Sequence, residues 1–187
     1  MRLLTRAVAL GEPWTQDDAD RVAKLFDSMA EEWSERHVDD TKAAPLIDAL
    51  DRGDVPVEGD WLELGSGTGA GTRLLAGVVG SLVATDLSEQ MLHHAPGELA
   101  PRVRADASRL PFRTAGFDVV VMVNMLLFPD EVTRVLRPGG TVVWVNTLGD
   151  QTPIHLPPDD VVRALPGDWV GRSARAGTGF WLSARLR

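Results

Sequence analysis

Two kinds of apolar spacing succeed one another along this chain, and the change from one to the other falls near residue 57. Before it, Ala19, Val22, Ala23, Phe26, Met29, Ala30 and Trp33 recur three and four residues apart. That spacing sets them on one stripe of a single helix. Asp17, Asp20, Arg21, Lys24, Asp27, Glu31, Glu32 and Glu35 take the opposite face. Thr15 is a good N-cap, with Asp18 three residues on as an imperfect capping box. A second helix is predicted over residues 42–52, stopped by Gly53.

Beyond residue 57 the apolar residues gather into short runs instead. Residues 61–64, 80–84, 102–105, 117–123 and 141–146 read as strands. FDVVVMV, residues 117–123, reads as the continuous buried run expected of a central parallel strand. Helices are predicted at 72–77, 88–94 and 159–165, and the interval between Pro129 and Leu136 allows one or two turns at most. LRPGG, residues 136–140, is a turn feeding the fifth strand. Two last strands, 169–175 and 180–186, flank Gly177-Thr178-Gly179, which suits a hairpin turn. The pattern is that of an α/β chain, and 187 residues support one such core without a second domain.

The chemistry concentrates where the first strand ends. WLELGSGTGAG, residues 61–71, places Gly65, Gly67, Gly69 and Gly71 at alternate positions after a strand. Glycine lets another molecule approach the backbone and offers it free N–H groups, which suits a nucleotide-like cofactor. Glu63, two residues before the first glycine, is placed to face a cationic amine. Asp86 closes the second strand in ATDLS, where a carboxylate can accept from both hydroxyls of a ribose. Ser88 is the better N-cap for the helix that follows, which leaves Asp86 for a ligand. Asp106 stands at the end of the third strand in RADASRLPF. Gly65, Gly67 and Ala70 also satisfy the dinucleotide fingerprint, so spacing alone leaves an NAD-dependent oxidoreductase open. Packing alternatives exist for each feature: a tight strand-to-helix turn, a carboxylate at a helix start, an Asx-turn.

Taken in order, E-L-G-S-G-T-G, T-D-L-S, D-A-S-R-L-P-F and L-R-P-G-G resemble the class I S-adenosylmethionine-dependent methyltransferases of small-molecule type. The likeness covers roughly residues 57–146. It implies a Rossmann-like, seven-stranded, mostly parallel sheet with helices on both faces and the last strand antiparallel. It also implies that Glu63, Gly65, Ser66, Gly67, Thr68 and Gly69 contact the methionine part and Asp86 the ribose. Leu87 and Met91 would meet the adenine face, Asp106 would accept from the adenine amino group beside the Ala107 N–H, and Asn124 would line the methyl-donor side. FDSMAEEWSE, residues 26–35, resembles a segment that covers cofactor and acceptor in such enzymes. Residues 1–56 are accordingly expected to form a helical lid over a core of residues 57–187, with Trp33 toward the acceptor. Two departures from the pattern, the short 129–136 interval and NMLLFPD without histidines, imply a trimmed acceptor side. A module that binds adenosylmethionine without transferring its methyl group is the alternative.

Methyl transfer needs no catalytic signature, because the cofactor carries the activated group. A base is required only for a hydroxyl or carbon acid. His37, after the lid helix, and His155, after the fifth strand, are the candidates, while His93 and His94 end a helix on the adenine side. Four histidines and no cysteine make no metal site, disulfide or thiolate nucleophile. Residues 1–60 hold fifteen acidic and seven basic side chains, which accounts for the whole net charge of −8. So acidic a chain is a poor clamp for nucleic acid. MRLLTRAVAL, interrupted by Arg6, is too short for a signal segment, and no run reaches the ~20 apolar residues of a membrane span. A cytoplasmic protein acting on a small molecule is the expectation.

Overall fold

A computed structural model describes residues 1–35 and 40–187. Four helices come first: α1 (Arg2–Ala9), α2 (Gln16–Asp27), α3 (Ala30–Glu35) and α4 (Asp40–Arg52). There follow β1 (Asp60–Leu64), α5 (Ala70–Leu75), β2 (Ser81–Asp86), α6 (Glu89–His94), β3 (Arg102–Arg104) and β4 (Phe117–Val123). The chain ends with α7 (Pro129–Val135), β5 (Leu136–Asn146), α8 (Pro158–Ala164), β6 (Trp169–Ala176) and β7 (Gly179–Leu186). The seven strands form one sheet in the order β3-β2-β1-β4-β5-β7-β6. Pairing is parallel from β3 to β5, and β7 runs antiparallel to both of its neighbours.

Both faces of the sheet are covered, and the two-residue period assigns each side chain to its face. Leu62, Leu64, Val120, Met122, Val142 and Trp144 pack with Val8 of α1, Val132 of α7 and Val161 of α8. Trp61, Val119, Val121, Val143, Val145 and Trp181 point the other way, onto Leu46 and Ala49 of α4 and Leu75 of α5. Val119, Val120, Val121 and Met122 have no exposed surface. Burial of each such side chain stabilises by about 1.5–3 kcal/mol, so β4 is the spine of the core. The Trp181 indole N–H also donates to Asp48 of α4 at 2.6 Å.

The structure departs from the expected elements in four places. The predicted single helix through Trp33 is broken into α2 and α3. The Ser28 hydroxyl donates to Leu25 C=O at 2.7 Å and Met29 N–H to Phe26 C=O at 3.1 Å, a tightened turn that ends the α ladder. Residues 2–9, given no helix of their own within the expected 1–56 lid, form α1, whose Thr5, Val8 and Ala9 are buried. The capping box at Thr15 is complete, with both reciprocal bonds to Asp18. Finally, 136–140 is both turn and strand. Phe117 pairs with Leu136 and Val119 with Thr141, so two steps on β4 face five on β5 and the surplus bulges at Pro138 and Gly139.

The amino ends of the strands are tied by charge. Arg137, in that bulge, pairs with Asp118 of β4 and with Asp60 of β1, the latter at 2.7 Å, and Asp118 also accepts from the Asp60 N–H at 2.8 Å.

Candidate cofactor and active site

In this strand order the chain reverses direction of travel between β1 and β4, and a crevice opens there beyond the carboxyl ends of the strands. Residues 65–69 and 124–128 are the loops on its two sides. Gly65, Gly67 and Gly69 all have left-handed backbones, with φ of 69°, 55° and 83°. A side chain at Gly65 would also collide with Met125, because an added Cβ stands 2.5 Å from its sulfur. Gly67 differs: a Cβ there would find nothing nearer than the Met91 sulfur at 4.0 Å. Its face is open, and φ rather than crowding selects glycine. Next to it the Ser66 hydroxyl is buried without a hydrogen-bond partner, an uncommon state that a polar ligand would relieve.

Three carboxylates stand at the ends of β1, β2 and β3. Glu63 is 2% exposed and accepts from the Thr72 hydroxyl at 2.5 Å. Burial pushes its pKa up to about 7, opposed by that hydrogen bond and helped by the nearby charge of Asp86. Asp86 is not free, contrary to the expectation that Ser88 capping would release it. Its Oδ2 accepts from Gly67 N–H and its Oδ1 from Ser88 N–H, both at 2.8 Å. It therefore ties the glycine loop to the start of α6, with its other lone pairs left for a ligand. Burial raises its pKa, against the lowering by the N–H groups of Ser88, Gly67 and Leu87. Ser88 caps α6 by accepting from Met91 N–H, as expected.

Asp106 is claimed from two sides, by Ser108 N–H at 2.8 Å and by the Trp14 indole N–H at 3.0 Å. Ala107, one residue on, has an N–H that makes no hydrogen bond among the described residues. Met91 is fully buried beneath Gly67. Leu87 is half-buried, and Thr68 offers its carbonyl to Arg73 at 3.0 Å. Asn124 has a left-handed backbone, φ 51°, and spends its amide on Thr147, accepting from its N–H and donating to its hydroxyl, both at 2.9 Å. What it shows the crevice is therefore backbone.

On the other side of the carboxyl edge lies His155, whose ring meets Phe180 edge-on at 5.6 Å. Its Nδ1 is buried without a partner. Burial, and then the charge of Arg2, hold its pKa below the ordinary histidine value, so it is neutral at pH 7. The buried Asn146 amide grips both flanks of this residue, donating to Ile154 C=O at 3.0 Å and accepting from Leu156 N–H at 3.2 Å. Trp33 is half-buried and packs edge-on against Phe26. His37 lies outside the described residues.

The contacts of Trp14, Asp27, Thr72 and Asn146 escaped the sequence reading. Asp27 reads there only as part of a polar face and of FDSMAEEWSE, and each of the four reaches its partner across a distance in the chain that periodicity does not report. Asp27 accepts from the Ser88 hydroxyl at 2.5 Å and from Gln90 N–H at 3.2 Å, so the N-terminal helices are fastened to α6 beside Asp86. A groove of about 650 Å³ lies elsewhere, at the amino ends of the strands among Asp54, Glu58, Asp118 and Gly139, and includes none of these residues. No described helix is long and apolar enough to cross a membrane.

Residues 62–144 match a family described as a methyltransferase domain. The chain is 38% identical over 108 residues to a demethylmenaquinone methyltransferase of Clavibacter sepedonicus, covering 51% of this chain and 44% of that one. It is 39% identical over 100 residues to a probable phthiotriol/phenolphthiotriol dimycocerosates methyltransferase 2 of Mycobacterium ulcerans, covering 46% of this chain and 38% of that one. The chain thus spans less than half the length of these curated relatives. Among solved structures, the complex of DhpI with SAH superposes with a TM-score of 0.73 at 22% identity, over 90% of this chain and 96% of that one. A SAM-dependent methyltransferase of Aquifex aeolicus gives 0.62 at 17% identity, over 91% of this chain and 99% of that one. The fold is that of the class I methyltransferases.

Proposed function

We propose that this chain, whose residues 62–144 match a methyltransferase domain family, transfers a methyl group from S-adenosylmethionine to a small-molecule acceptor. The observation that carries the reading is the family match laid over three adjacent strand ends that each carry a carboxylate, with Asp86 bonded to the open glycine loop. The same match favours adenosylmethionine over the dinucleotide that glycine spacing alone would allow.

The residues present suit the cofactor. The unpartnered Ser66 hydroxyl and the open face of Gly67 lie where its amino-acid part would rest, and Glu63 would balance the ammonium. Asp86 would take the ribose hydroxyls on its remaining lone pairs. Asp106 and the Ala107 N–H offer an acceptor beside a donor, the complement of an adenine edge. The backbone at Asn124 borders the sulfur side. When bound, adenosylmethionine supplies an activated methyl on a sulfonium. The chain contributes orientation and exclusion of water. Of the helices before residue 56, α1 and α4 are packed onto the sheet, and α2 and α3 act as the lid, with Trp33 toward the acceptor, while neutral His155 is the base available to an acceptor that must lose a proton. The relatives are named for demethylmenaquinone and phthiotriol compounds, which supports a small molecule rather than a polymer.

Incubation with labelled adenosylmethionine and a panel of phenols, quinols and amines tests the reading. Transfer to one class that disappears in His155→Ala supports it. Tight adenosylhomocysteine binding with no transfer to any acceptor would leave only a binding module.

A further inference from the structure

Trp14 stands one residue before Thr15, the N-cap of α2, whose reciprocal bonds with Asp18 hold the backbone in place. Its ring packs edge-on against Phe128 at 5.3 Å. From that fixed position its indole N–H donates to Asp106 Oδ2, ninety-two positions away in the chain. The other oxygen, Oδ1, accepts from Ser108 N–H. An aspartate carboxylate on its own turns easily about χ2. One donor on each oxygen stops that rotation. Each oxygen keeps one acceptor position of the two it has, and the direction of the open position on Oδ2 is then set by the indole.

We propose that Trp14 is a positioning residue that determines which nucleoside the protein accepts. Its N–H holds Asp106 so that the open position on Oδ2 faces an exocyclic amino group and rejects a 6-oxo purine. This rests on the assignment of Asp106 to the purine end of the cofactor given above. An amino group donates to the held oxygen. A 6-oxo group would set acceptor against acceptor, and its ring N–H would meet the Ala107 N–H, donor against donor. A site built to satisfy one pattern rejects the other because buried polar groups are left unpaired. A carboxylate free to rotate would relieve part of that conflict, so the discrimination depends on the clamp.

The test compares S-adenosylhomocysteine with S-inosylhomocysteine by calorimetry on the whole chain. The wild type should prefer the amino form by about tenfold or more. Trp14→Phe, which keeps the ring on Phe128 but lacks the N–H, should bind the amino form about fivefold more weakly, with the oxo form changed less than about twofold. Asp106→Asn leaves Trp14 intact and guards against a misfolded Phe variant. Its single amide oxygen can accept from Ser108 N–H or from the Trp14 indole but not from both, so the clamp is lost and the preference for the amino form should shrink. Equal losses for both nucleosides in Trp14→Phe would make Trp14 a mere wall, tighter binding would make it a competitor, and a retained preference in Asp106→Asn would remove Asp106 from the purine. Any of the three overturns the proposal. If the wild type binds neither nucleoside, the cofactor reading falls and takes this one with it.

Discussion

The Ser88 hydroxyl lies 2.5 Å from the Asp27 carboxylate, while the backbone N–H of the same serine holds Asp86. One residue thus joins the C-terminal end of α2 to the carboxylate proposed for the ribose. Asp27→Ala should cost about 1–2 kcal/mol of stability, the range for lost hydrogen bonds to a charged group. Its larger effect is expected in hydrogen exchange: α2 and α3 should open faster. In the wild type, adenosylhomocysteine should slow exchange there, as befits a lid over bound ligand. Exchange in α3 as slow as in β4, with or without ligand, would make these helices permanent core.

Asp86→Ala removes the acceptor of the Gly67 N–H as well as a ligand group. Adenosylhomocysteine should bind about 1–3 kcal/mol more weakly, measured by calorimetry, with far-UV circular dichroism unchanged. Undiminished affinity would assign Asp86 to loop structure alone.

Glu63 makes binding depend on pH. Its folded pKa of about 7 lies above the ordinary carboxylate value. Folding therefore favours its protonated form, and stability falls as pH rises from the unfolded pKa toward 7. The cost of ionisation is on the order of 3 kcal/mol at higher pH. A cationic ammonium beside it would draw the pKa down, so binding should release a proton below pH 7 and tighten as pH rises through that value. Calorimetry in buffers of different ionisation enthalpy reads the release directly. Glu63→Gln should abolish it and flatten the stability profile over the same range.

Gly67→Val is expected to prevent cofactor binding in a folded protein. The space exists, but a branched side chain at φ 55° would force the loop to rearrange. Circular dichroism beside a titration decides it, and a folded variant with wild-type affinity would make the loop a packing turn.

Asn146→Ala should lower stability by about 2 kcal/mol, since the Leu156 N–H and Ile154 carbonyl lose their buried partner. Transfer to a proton-losing acceptor should fall further than binding of adenosylhomocysteine, because the amide fixes the two neighbours of His155. Proportional loss of both would deny His155 the base role.

What could be read beforehand was local or periodic. The run FDVVVMV announced a central strand because beyond Asp118 it offers no polar position, and Val119 to Met122 are buried on both faces. The glycine loop announced itself because backbone geometry admits few residues there. α1 was missed because eight residues carry too few turns for a stripe to stand out. The break at Ser28 was missed because the apolar spacing continues across it, while a hydroxyl bond to Leu25 ends the helix. Asp86 was read as free because nothing in its neighbourhood in sequence shows that Gly67, nineteen residues earlier, would donate to it. Trp14 on Asp106 is the extreme case: neither residue marks the other, and only the closed fold brings them together.

The Arg137 cluster has a consequence for how this chain can change. It secures β1, β4 and β5 at the end of the sheet remote from Gly67, a tie to which the crevice loops contribute nothing. Exposed positions of those loops can accumulate substitutions while the strands beneath stay in register, whereas Leu126, Leu127, Ile154 and Leu156 belong to the core and cannot. Arg137→Ala should in turn lower the melting temperature and leave the ligand dissociation constant almost untouched. Durability and selectivity are thereby heritable separately, which lets one scaffold pass between acceptors without first losing its shape.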